Sequence, residues 1–579
     1  MSQGSKPKPA FYAAVLVVIV GLVGLAMWRC SGKKTETAKK ADKIDINDIK
    51  SQSGNGTAES PDSSTVTTVK EYEFEPAARL PEVPGTSDYK ALGAKRVVKF
   101  AINVWAGWAP IIYANGGKGP GKIWKDSKGN DFQVELVLID NPVNMGDTFA
   151  AGGVHIGWAT VDMLPLIVQR LNRDARTMPR VFQQIDWSNG GDGIVVRDNI
   201  KNIADLRGKK VVLAQNSPSH FFLLNALLNG GVQPSEVKMD FTQDAFQAAA
   251  AFNANKDYAA VVTWAPDIYN LEKVKGNRIL VSTGTANKLI ADVWFARADF
   301  ARDNPEIIEG LVRGILDSVT ELKDDNKKQE AAKLMADVYG LPPADTMGML
   351  GDAHWTNYAE NRDFFLNQNN PANFERTYNT AYLLYKAIRV VDEKVPFDKI
   401  MDFSVIKKLG SEAKYADQKN EYDYKFTPVA ADAIQQSVES EILTKTVVIS
   451  FFPNSFDLYK KVKKPVGDGK EVDAPYDPNV DFTIEEIAKL AAQYGAARIV
   501  IEGHTDASMR GIADERLVKD LSLNRANAVK EALVKKFNLD PNQFSVAGWG
   551  WDRPADPSDP NNHAKNRRVE VKVYPAEAQ

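Results

Sequence analysis

Short runs of β-forming residues alternate with helical stretches between residues 95 and 425. The strand-like runs are VVKFAINVW (97–105), VELVLI (134–139), GIVV (193–196), VVLA (211–214), AAVVTW (259–264) and VWFA (293–296). Between them, FFLLNALLN (221–229) and IIEGLVRGILDSVTEL (307–322) have helical periodicity. Strands interleaved with helices predict an α/β fold with largely parallel sheets. This stretch is long enough to form two lobes.

The whole chain has 579 residues, too many for one hydrophobic core, and about three or four folding units are expected. Its composition is that of a soluble protein, with 44% hydrophobic residues, 25% charged residues and a net charge of −3. This near-neutral balance argues against nucleic acid as a partner, because nucleic acid binding requires a basic domain or stripe.

The sequence carries no pattern typical of an enzyme or a metalloprotein. Its single cysteine, Cys30, excludes an internal disulfide framework and a multi-cysteine metal site. The five histidines are scattered and form no HExxH pair. We find no nucleophile paired with a base and no cofactor fingerprint. We therefore expect no catalytic activity, no metal and no cofactor.

An uncharged apolar run, FYAAVLVVIVGLVGLAMW, extends from Phe11 to Trp28. Its 18 residues reach the length at which a helix can cross a bilayer. Basic residues flank it on both sides, so the positive-inside rule gives no orientation. We predict a transmembrane helix over 11–28 after an N-terminal segment, 1–10. A cleaved signal peptide remains an alternative, as does a lipid anchor or an intermolecular disulfide at Cys30.

The segment that follows the apolar run differs from both its neighbours. Residues 29–85 are rich in Lys, Ser, Thr, Asp, Glu and Gly and poor in large apolar residues. Such a segment buries too little apolar surface to offset its ordering entropy, so we predict a flexible linker. The α/β module then covers 86–425, a helical connector covers 426–443, and a final domain covers 444–579.

The final domain has the pattern β-α-β-α-β-β. Its segments are TVVISFF (446–452), IEEIAKLAAQY (484–494), RIVIEGH (498–504), LNRANAVKEALVKKF (523–537), FSVAG (544–548) and RRVEVKV (567–573). Three motifs in it, GHTD (503–506), LSLNRANAVKEAL (521–533) and NRRVEV (566–571), resemble the OmpA-like peptidoglycan-binding domain. The resemblance implies an α/β sandwich that binds the bacterial cell wall. Because the wall lies outside the inner membrane, it also implies a periplasmic location and orients the helix predicted over 11–28 as an inner-membrane anchor with a cytoplasmic N-terminus.

The motifs supply one carboxylate and one guanidinium at a strand end and a helix start, which meet at one edge of an α/β sandwich. Such a pair can bind a zwitterion, with the amino group on the acid and the carboxylate on the arginine. The resemblance assigns these roles, towards the diaminopimelate of a murein stem peptide, to Asp506 and Arg525. It implies supporting contacts from Asn454, Thr505 and Arg567. The sequence departs from the family pattern at Val518, where the family has Asn.

The middle region resembles periplasmic substrate-binding proteins of the nitrate/sulfonate/taurine (NMT1-like) family. The resemblance lies in VWAGWAP (104–110), DLRGKKVVLAQNSPSHFFLLNALL (205–228) and DYAAVVTWAPDI (257–268). It implies a type II periplasmic-binding-protein module, in which two lobes close on a small ligand for an ABC permease.

The candidate ligand residues follow predicted strands or lie where the chain crosses between lobes. Helix N-termini bind anions, carboxylates bind amino groups, and in open α/β sheets ligands lie beyond the carboxyl ends of strands. We expect one cleft that holds an anionic or zwitterionic ligand. The predicted ligand residues are Trp105, Trp108, Asp186, Ser217, Ser219, His220, Trp264 and Asp267. Each also has a structural interpretation, as an ordinary helix cap or as core packing.

The sequence thus predicts an inner-membrane-anchored periplasmic protein that captures a small solute and is held to peptidoglycan. Two other functions stay open: a ligand sensor that signals to a membrane partner, and a scaffold or stator-like protein that binds no ligand. An enzyme of the pyrimidine-precursor type, which shares the two-lobed fold, is the most distant alternative.

Overall fold

The chain forms two lobes, each built on one β-sheet, followed by a C-terminal α/β domain. The structure is a computed structural model that describes residues 59, 72–436, 441–466 and 470–576. The predicted transmembrane run 11–28 lies outside these residues. Within the described ranges, no helix has both the length and the apolarity needed to span a bilayer.

The elements of the two lobes agree in position with the predicted runs, and several more strands lie between them. The strands are β1 (Val97–Ile102), β2 (Ile123–Lys125), β3 (Asp131–Leu138), β4 (Ile156–Thr160), β5 (Pro179–Ser188), β6 (Asp192–Arg197), β7 (Lys210–Ala214), β8 (Lys238–Thr242), β9 (Tyr258–Trp264), β10 (Asn277–Ser282), β11 (Ala291–Arg297) and β12 (Ala353–Trp355). The helices are α1 (Ala109–Asn115), α2 (Pro142–Ala150), α3 (Leu164–Leu171), α4 (Pro218–Asn229), α5 (Ala245–Ala254), α6 (Asp267–Glu272), α7 (Ala298–Asp303), α8 (Pro305–Glu321), α9 (Asp325–Tyr339), α10 (Pro343–Met349), α11 (Tyr358–Leu366), α12 (Phe374–Ala387), α13 (Ser404–Leu409) and α14 (Ala413–Ala416).

Both sheets are mixed, and the expectation of largely parallel sheets is wrong. Lobe one has the strand order β12-β5-β11-β4-β1-β3-β2, in which β4, β1 and β3 are parallel and the outer pairs are antiparallel. Lobe two has the order β10-β6-β9-β7-β8, with β9, β7 and β8 parallel. The reversal arises because β5 leaves lobe one and β11 returns to it, so these neighbours run in opposite directions.

The chain crosses between the lobes at the predicted place. It passes from β5 to β6 through residues 189–191, and it returns through 283–290. Helix α12 also joins the lobes, because Phe374 and Tyr378 pack in the core of lobe one while Tyr382 and Tyr385 pack in that of lobe two.

Residues 72–85, the end of the predicted linker, contact the lobes without forming a helix or a strand. The Tyr72 hydroxyl donates to the carbonyl of Leu228 at 2.7 Å. Further along, Arg170 donates to the carbonyl of Pro81 at 2.5 Å. These polar contacts hold the segment together with apolar packing, because Phe74, Leu80 and Val83 lie partly buried against the cores of the lobes.

The C-terminal domain has the predicted element order, with one hairpin inserted after its first strand. Its elements are α15 (Ala431–Gln435), β13 (Leu443–Val447), β14 (Lys461–Pro465), β15 (Glu471–Pro475), α16 (Val480–Gln493), β16 (Ala497–His504), α17 (Glu515–Phe537), β17 (Phe544–Gly548), α18 (His563–Asn566) and β18 (Arg568–Pro575). The main sheet has the order β13-β18-β16-β17. The first strand begins inside the predicted connector and ends before 448, so the expected strand over 446–452 is largely a loop.

The C-terminal domain rests against lobe two. The backbone N–H of Ile203 donates to the carbonyl of Ile442 at 2.9 Å, and the Asn225 amide donates to Gln493 at 3.2 Å. Apolar residues of α4 and α16 belong to one continuous buried cluster. The two units therefore share a packed boundary.

Candidate functional site

The motif residues of the C-terminal domain meet in one polar pocket. Its walls include Phe451, His504, Arg525, His563 and Arg567. Strand β16 brings the GHTD motif to this edge, and α17 places Arg525 opposite. The close fit of these two elements depends on Gly503, where an added Cβ would lie 2.0 Å from the carbonyl oxygen of Ser522.

Asp506 is 1% exposed and is bound to two residues that line the pocket, His563 and Arg567. One of its oxygens accepts a hydrogen bond from the N–H of Ser508 at 2.7 Å, and the other contacts His563 Nδ1 at 2.7 Å and Arg567 Nε. Burial by itself would raise the pKa of Asp506, but the charge of Arg567 and these hydrogen bonds lower it below its usual value. The group is therefore a carboxylate at neutral pH, as recognition of an ammonium group requires.

Arg525 lies on the same pocket, and its guanidinium is already bound to a carboxylate of the chain itself. Its Nη1 and Nη2 donate to the two oxygens of Glu59 at 2.9 and 2.6 Å, while its Nε donates to the carbonyl of Ser455 at 3.0 Å. The ring of Phe451 lies 5.0 Å from the guanidinium carbon. This is the bidentate arrangement in which arginine recognises carboxylates.

Asn454 and Arg567 complete the cradle around that carboxylate. The backbone N–H of Asn454 donates to Glu59 Oε2 at 2.9 Å, and Arg567 Nε lies 3.9 Å from Glu59 Oε1. Arg567 thus contacts both Asp506 and Glu59 and links the two halves of the predicted clamp. Thr505 is 1% exposed, and its N–H donates to the carbonyl of Gly550 at 2.8 Å, which holds the loop that follows β16.

Val518 does not reach the pocket. It is fully buried in a small apolar cluster with Met509, Leu521 and Trp551. This cluster supports the turn that follows Asp506. An apolar side chain at this position therefore stabilises the pocket from behind.

One group of residues has the composition of a metal site, Glu502, His504 and Glu570. His504 Nε2 lies 3.7 Å from Glu502 and 3.8 Å from Glu570. Lys572 Nζ, however, lies 3.2 Å from Glu502, and Arg568 lies 2.7 Å from Glu570. Protein cations already neutralise both carboxylates, so the group does not fit a divalent metal.

The second site lies where the lobes meet, and Trp105 and Asp186 are at its centre. Trp105 Nε1 donates to Asp186 Oδ2 at 2.8 Å, and both residues are buried. Two glycines make room for them. A Cβ at Gly107 would lie 1.5 Å from Asp186 Oδ2, and one at Gly191 would lie 2.6 Å from the Trp105 ring.

Asp186 belongs to a cluster of buried aspartates beside the first crossing between the lobes. Asp162, Asp186 and Asp292 belong to lobe one, and Asp192 begins the first strand of lobe two. Burial raises the pKa of Asp162 and of Asp186 to about 7. It raises that of Asp192 to about 6 and that of Asp292 well above its usual value, with repulsion from Asp186 adding to the effect. In the described part of the chain, both oxygens of Asp162 and Oδ1 of Asp186 are buried without a satisfactory hydrogen bond.

The start of α4 brings polar residues of lobe two close to this cluster. Ser219 is 1% exposed, and its hydroxyl is buried without a partner among the described residues. The Ser217 hydroxyl donates to the carbonyl of Ala214 at 2.8 Å instead of capping the helix. Burial lowers the pKa of His220 to about 3, so this imidazole is neutral and accepts a hydrogen bond from the N–H of Asn216 at 3.3 Å.

Tyr385 joins the two sides. Its hydroxyl lies 3.5 Å from the carbonyl of Ser217, and burial together with the charge of Asp162 raises its pKa. The buried acids of lobe one and the helix start of lobe two therefore face a common region.

Three predicted ligand residues have other surroundings. Trp108 is fully buried and packs edge to face on Phe100, so it belongs to the core of lobe one, because the 3₁₀ turn 106–108 directs it inwards. Trp264 is partly exposed and contacts Phe246 edge to face at 6.4 Å. Asp267 opens α6, where burial and repulsion from Asp244 raise its pKa.

Sequence reasoning missed several residues that the fold brings to these sites. They are Glu59, Asp162, His563, Asp292 and Tyr385. Asp162 follows a strand directly, in TVD (160–162), and this signal was available. Glu59 lies in a polar segment and carries no local signal.

Two known families match the chain, one within the two lobes and one within the C-terminal domain. The NMT1/THI5 like family matches residues 129–328, and the OmpA family matches residues 471–568.

Curated relatives and a solved structure resemble parts of the chain. The taurine-binding periplasmic protein of Escherichia coli (strain K12) is 27% identical over 225 residues, 38% of this chain and 67% of that protein. The outer membrane protein Omp38 of Acinetobacter baumannii is 44% identical over 88 residues, 14% of this chain, but the match spans only 24% of that protein. The periplasmic aliphatic sulphonate binding protein SsuA from Escherichia coli has 19% identity and a TM-score of 0.41, covering 52% of this chain and 96% of its own.

Proposed function

Because this chain is a fusion of an NMT1/THI5-like domain and a C-terminal OmpA-family domain, we propose that it binds a small solute while held to peptidoglycan. The observation that carries the wall-binding half is the pocket lined by Arg525 and Arg567, with the buried Asp506 bound to Arg567. It offers a carboxylate for an ammonium group and a bidentate guanidinium for a carboxylate. The end of a diaminopimelate stem peptide presents both of these groups.

The wall-binding proposal is tested by pull-down with purified sacculi. We expect that Asp506→Ala and Arg525→Ala each abolish retention of the full chain. Arg516→Ala is the matched control. Arg516 lies on the same helix nine residues before Arg525, is exposed and does not line the pocket. Circular dichroism and thermal melts establish that each variant is folded. Full retention of both pocket variants would refute the wall assignment.

The proposal of solute binding depends on the residues where the two lobes meet. The buried aspartates there favour a ligand with an amino group. Asp162 and Asp186 have buried oxygens that lack a hydrogen-bond donor among the described residues, and a positive group would stabilise them, since burial of an unpaired carboxylate is costly. The start of α4 at Ser219 suits the anionic end of such a ligand. A short amino-sulfonate or an amino acid meets both requirements, and the taurine-binding relative supports the former class.

A matched pair of ligands tests this class. We expect taurine to raise the melting temperature of the lobes, and ethanesulfonate, which lacks the amino group, to have little effect. Asp186→Asn should then weaken taurine binding more than Ser219→Ala. The reverse order would indicate recognition of a pure anion. Flat melting curves with sulfonates, nitrate, phosphate and amino acids would favour the scaffold function instead.

The cellular setting follows from the same proposal. An inner-membrane helix over 11–28 would place the solute-binding lobes and the wall-binding domain in the periplasm, where an ABC permease could receive the ligand. Signal-peptide cleavage predicts a shorter mature chain that leaves the membrane fraction, so mass spectrometry of the protein from membranes distinguishes the two cases. If ligand binding persists while deletion leaves solute uptake unchanged, the lobes act as a sensor.

A further inference from the structure

Glu59 lies in the pocket that we assign to the cell wall, although it belongs to the N-terminal segment. It is fully buried, and its partner Arg525 is 466 positions away in the chain. The Glu59 carboxylate accepts two hydrogen bonds from the Arg525 guanidinium and one from the backbone N–H of Asn454. The backbone N–H of Glu59 also donates to the side-chain oxygen of Asn454 at 3.3 Å.

These contacts describe a ligand with a free carboxylate close to an amide N–H. Burial would raise the pKa of Glu59, but Arg525 and then Arg567 lower it below its usual value, so the bound group is an anion. A murein stem peptide presents the same pair of groups, a carboxylate and a peptide N–H, at its diaminopimelate. Glu59 therefore matches the half of the stem peptide that Arg525 would recognise.

We propose that Glu59 is an internal ligand of the wall-binding pocket and that the murein stem peptide must displace it to bind. This inference rests on the proposed wall-binding function. The free protein would then be self-occluded, and wall attachment would be coupled to release of Glu59 from Arg525.

The pocket also indicates how a stem peptide can displace Glu59. Glu59 offers no cation, so Asp506 keeps its contacts with His563 and Arg567 while Glu59 is bound. A stem peptide brings an ammonium group as well as a carboxylate and can engage both halves of the pocket. The internal ligand therefore matches only part of the site, as expected for an occupant that has to leave.

The size of the effect depends on how often the pocket is open. If Glu59 occupies it in nine molecules of ten, the apparent affinity for the wall is reduced about tenfold, since only the open fraction can bind. Removing the side chain should restore this factor.

The first experiment measures binding of the full chain to sacculi and to a soluble diaminopimelate-containing stem peptide. We expect Glu59→Ala to bind both about tenfold more tightly than the native chain, and Glu59→Asp, which keeps the charge on a shorter side chain, to lie in between. The control is Glu75→Ala, an exposed acid of the same segment, which should bind like the native chain. Equal affinity of the Glu59→Ala and native chains would overturn the inference.

The second experiment needs no substitution and therefore does not depend on the folding of a variant. Hydrogen exchange of the native full chain is followed by mass spectrometry with and without saturating stem peptide. We expect exchange in fragments around Glu59 to increase when the stem peptide binds, because the N–H of Glu59 loses Asn454 as its acceptor. Unchanged exchange at full occupancy would contradict displacement.

The outcomes separate this inference from the function on which it rests. If neither the native chain nor Glu59→Ala binds sacculi or stem peptide, the wall-binding function fails and the inference fails with it. If the native chain binds and Arg525→Ala does not, while Glu59→Ala gains nothing and exchange stays constant, the wall-binding function stands and the internal ligand is refuted.

Discussion

The buried aspartates of the cleft should make the ligand-free protein less stable at neutral pH than in mild acid. Asp162 is 1% exposed, and burial, with repulsion from Asp192, raises its pKa to about 7 from an ordinary value of 3.8. Asp292 also faces this group. The perturbation that tests the argument is Asp162→Asn, which removes the charge and nearly preserves the shape.

The sign follows from the raised pKa. The folded state holds the proton of Asp162 more tightly than the unfolded state, so no penalty exists below about pH 4. The free energy of unfolding then falls as the pH rises to about 7 and is constant above it. A shift of about three pKa units corresponds to about 4 kcal/mol at 1.36 kcal/mol per unit. Asparagine avoids this loss, while its polar atoms stay as poorly hydrogen-bonded as those of the protonated acid.

Differential scanning calorimetry of ligand-free protein at pH 5 and pH 8 measures the effect. At about 2 °C per kcal/mol, Asp162→Asn should raise the melting temperature of the lobes by about 8 °C at pH 8 and by much less at pH 5. Asp337→Asn is the control, because Asp337 is an exposed residue of α9. If native protein and Asp162→Asn show the same dependence on pH, the buried carboxyl does not carry the strain inferred for it.

Two further substitutions test the packing around the two sites, and a third tests a buried ion pair elsewhere in lobe one. Gly107→Ala would place a Cβ 1.5 Å from Asp186 Oδ2, so calorimetric titration should detect at least a tenfold loss of ligand affinity; unchanged affinity would refute the close approach. Gly503→Ala would press on the backbone of Ser522 and should reduce sacculus binding without affecting the lobes, and normal binding would count against this contact. Arg297→Met removes a fully buried guanidinium from its carboxylate partner and should cost about 3 to 5 kcal/mol in urea unfolding, whereas a loss below 1 kcal/mol would show that the pair is dispensable.

Much of the local structure could be predicted from the sequence because it depends on short-range patterns. The run VVLA (211–214) became β7, and FFLLNALLN (221–229) became most of α4, since apolar periodicity and strand-forming residues act over a few positions. The order of elements in the C-terminal domain was predictable for the same reason, and so was the lobe crossing near Gly190 and Gly191.

Strand direction was not predictable, because it depends on which distant segments become neighbours. Strand β5 lies between β11 and β12, which follow it by about a hundred residues or more. No local pattern encodes that order. The same limit explains Trp108, whose sequence context suits a cleft residue equally well, and whose burial follows from the inward turn of one short segment.

The two sites show the division most clearly. The sequence by itself determined that Asp506, Arg525 and Arg567 are present in the order of a wall-binding motif, and that strand ends and helix starts in the middle region carry polar residues. Only the tertiary structure decided that four aspartates share one buried place and that Glu59 fills the pocket of Arg525. The physical reason is that charge pairing and desolvation act through space. Their partners can lie hundreds of residues apart, where no periodicity or spacing connects them.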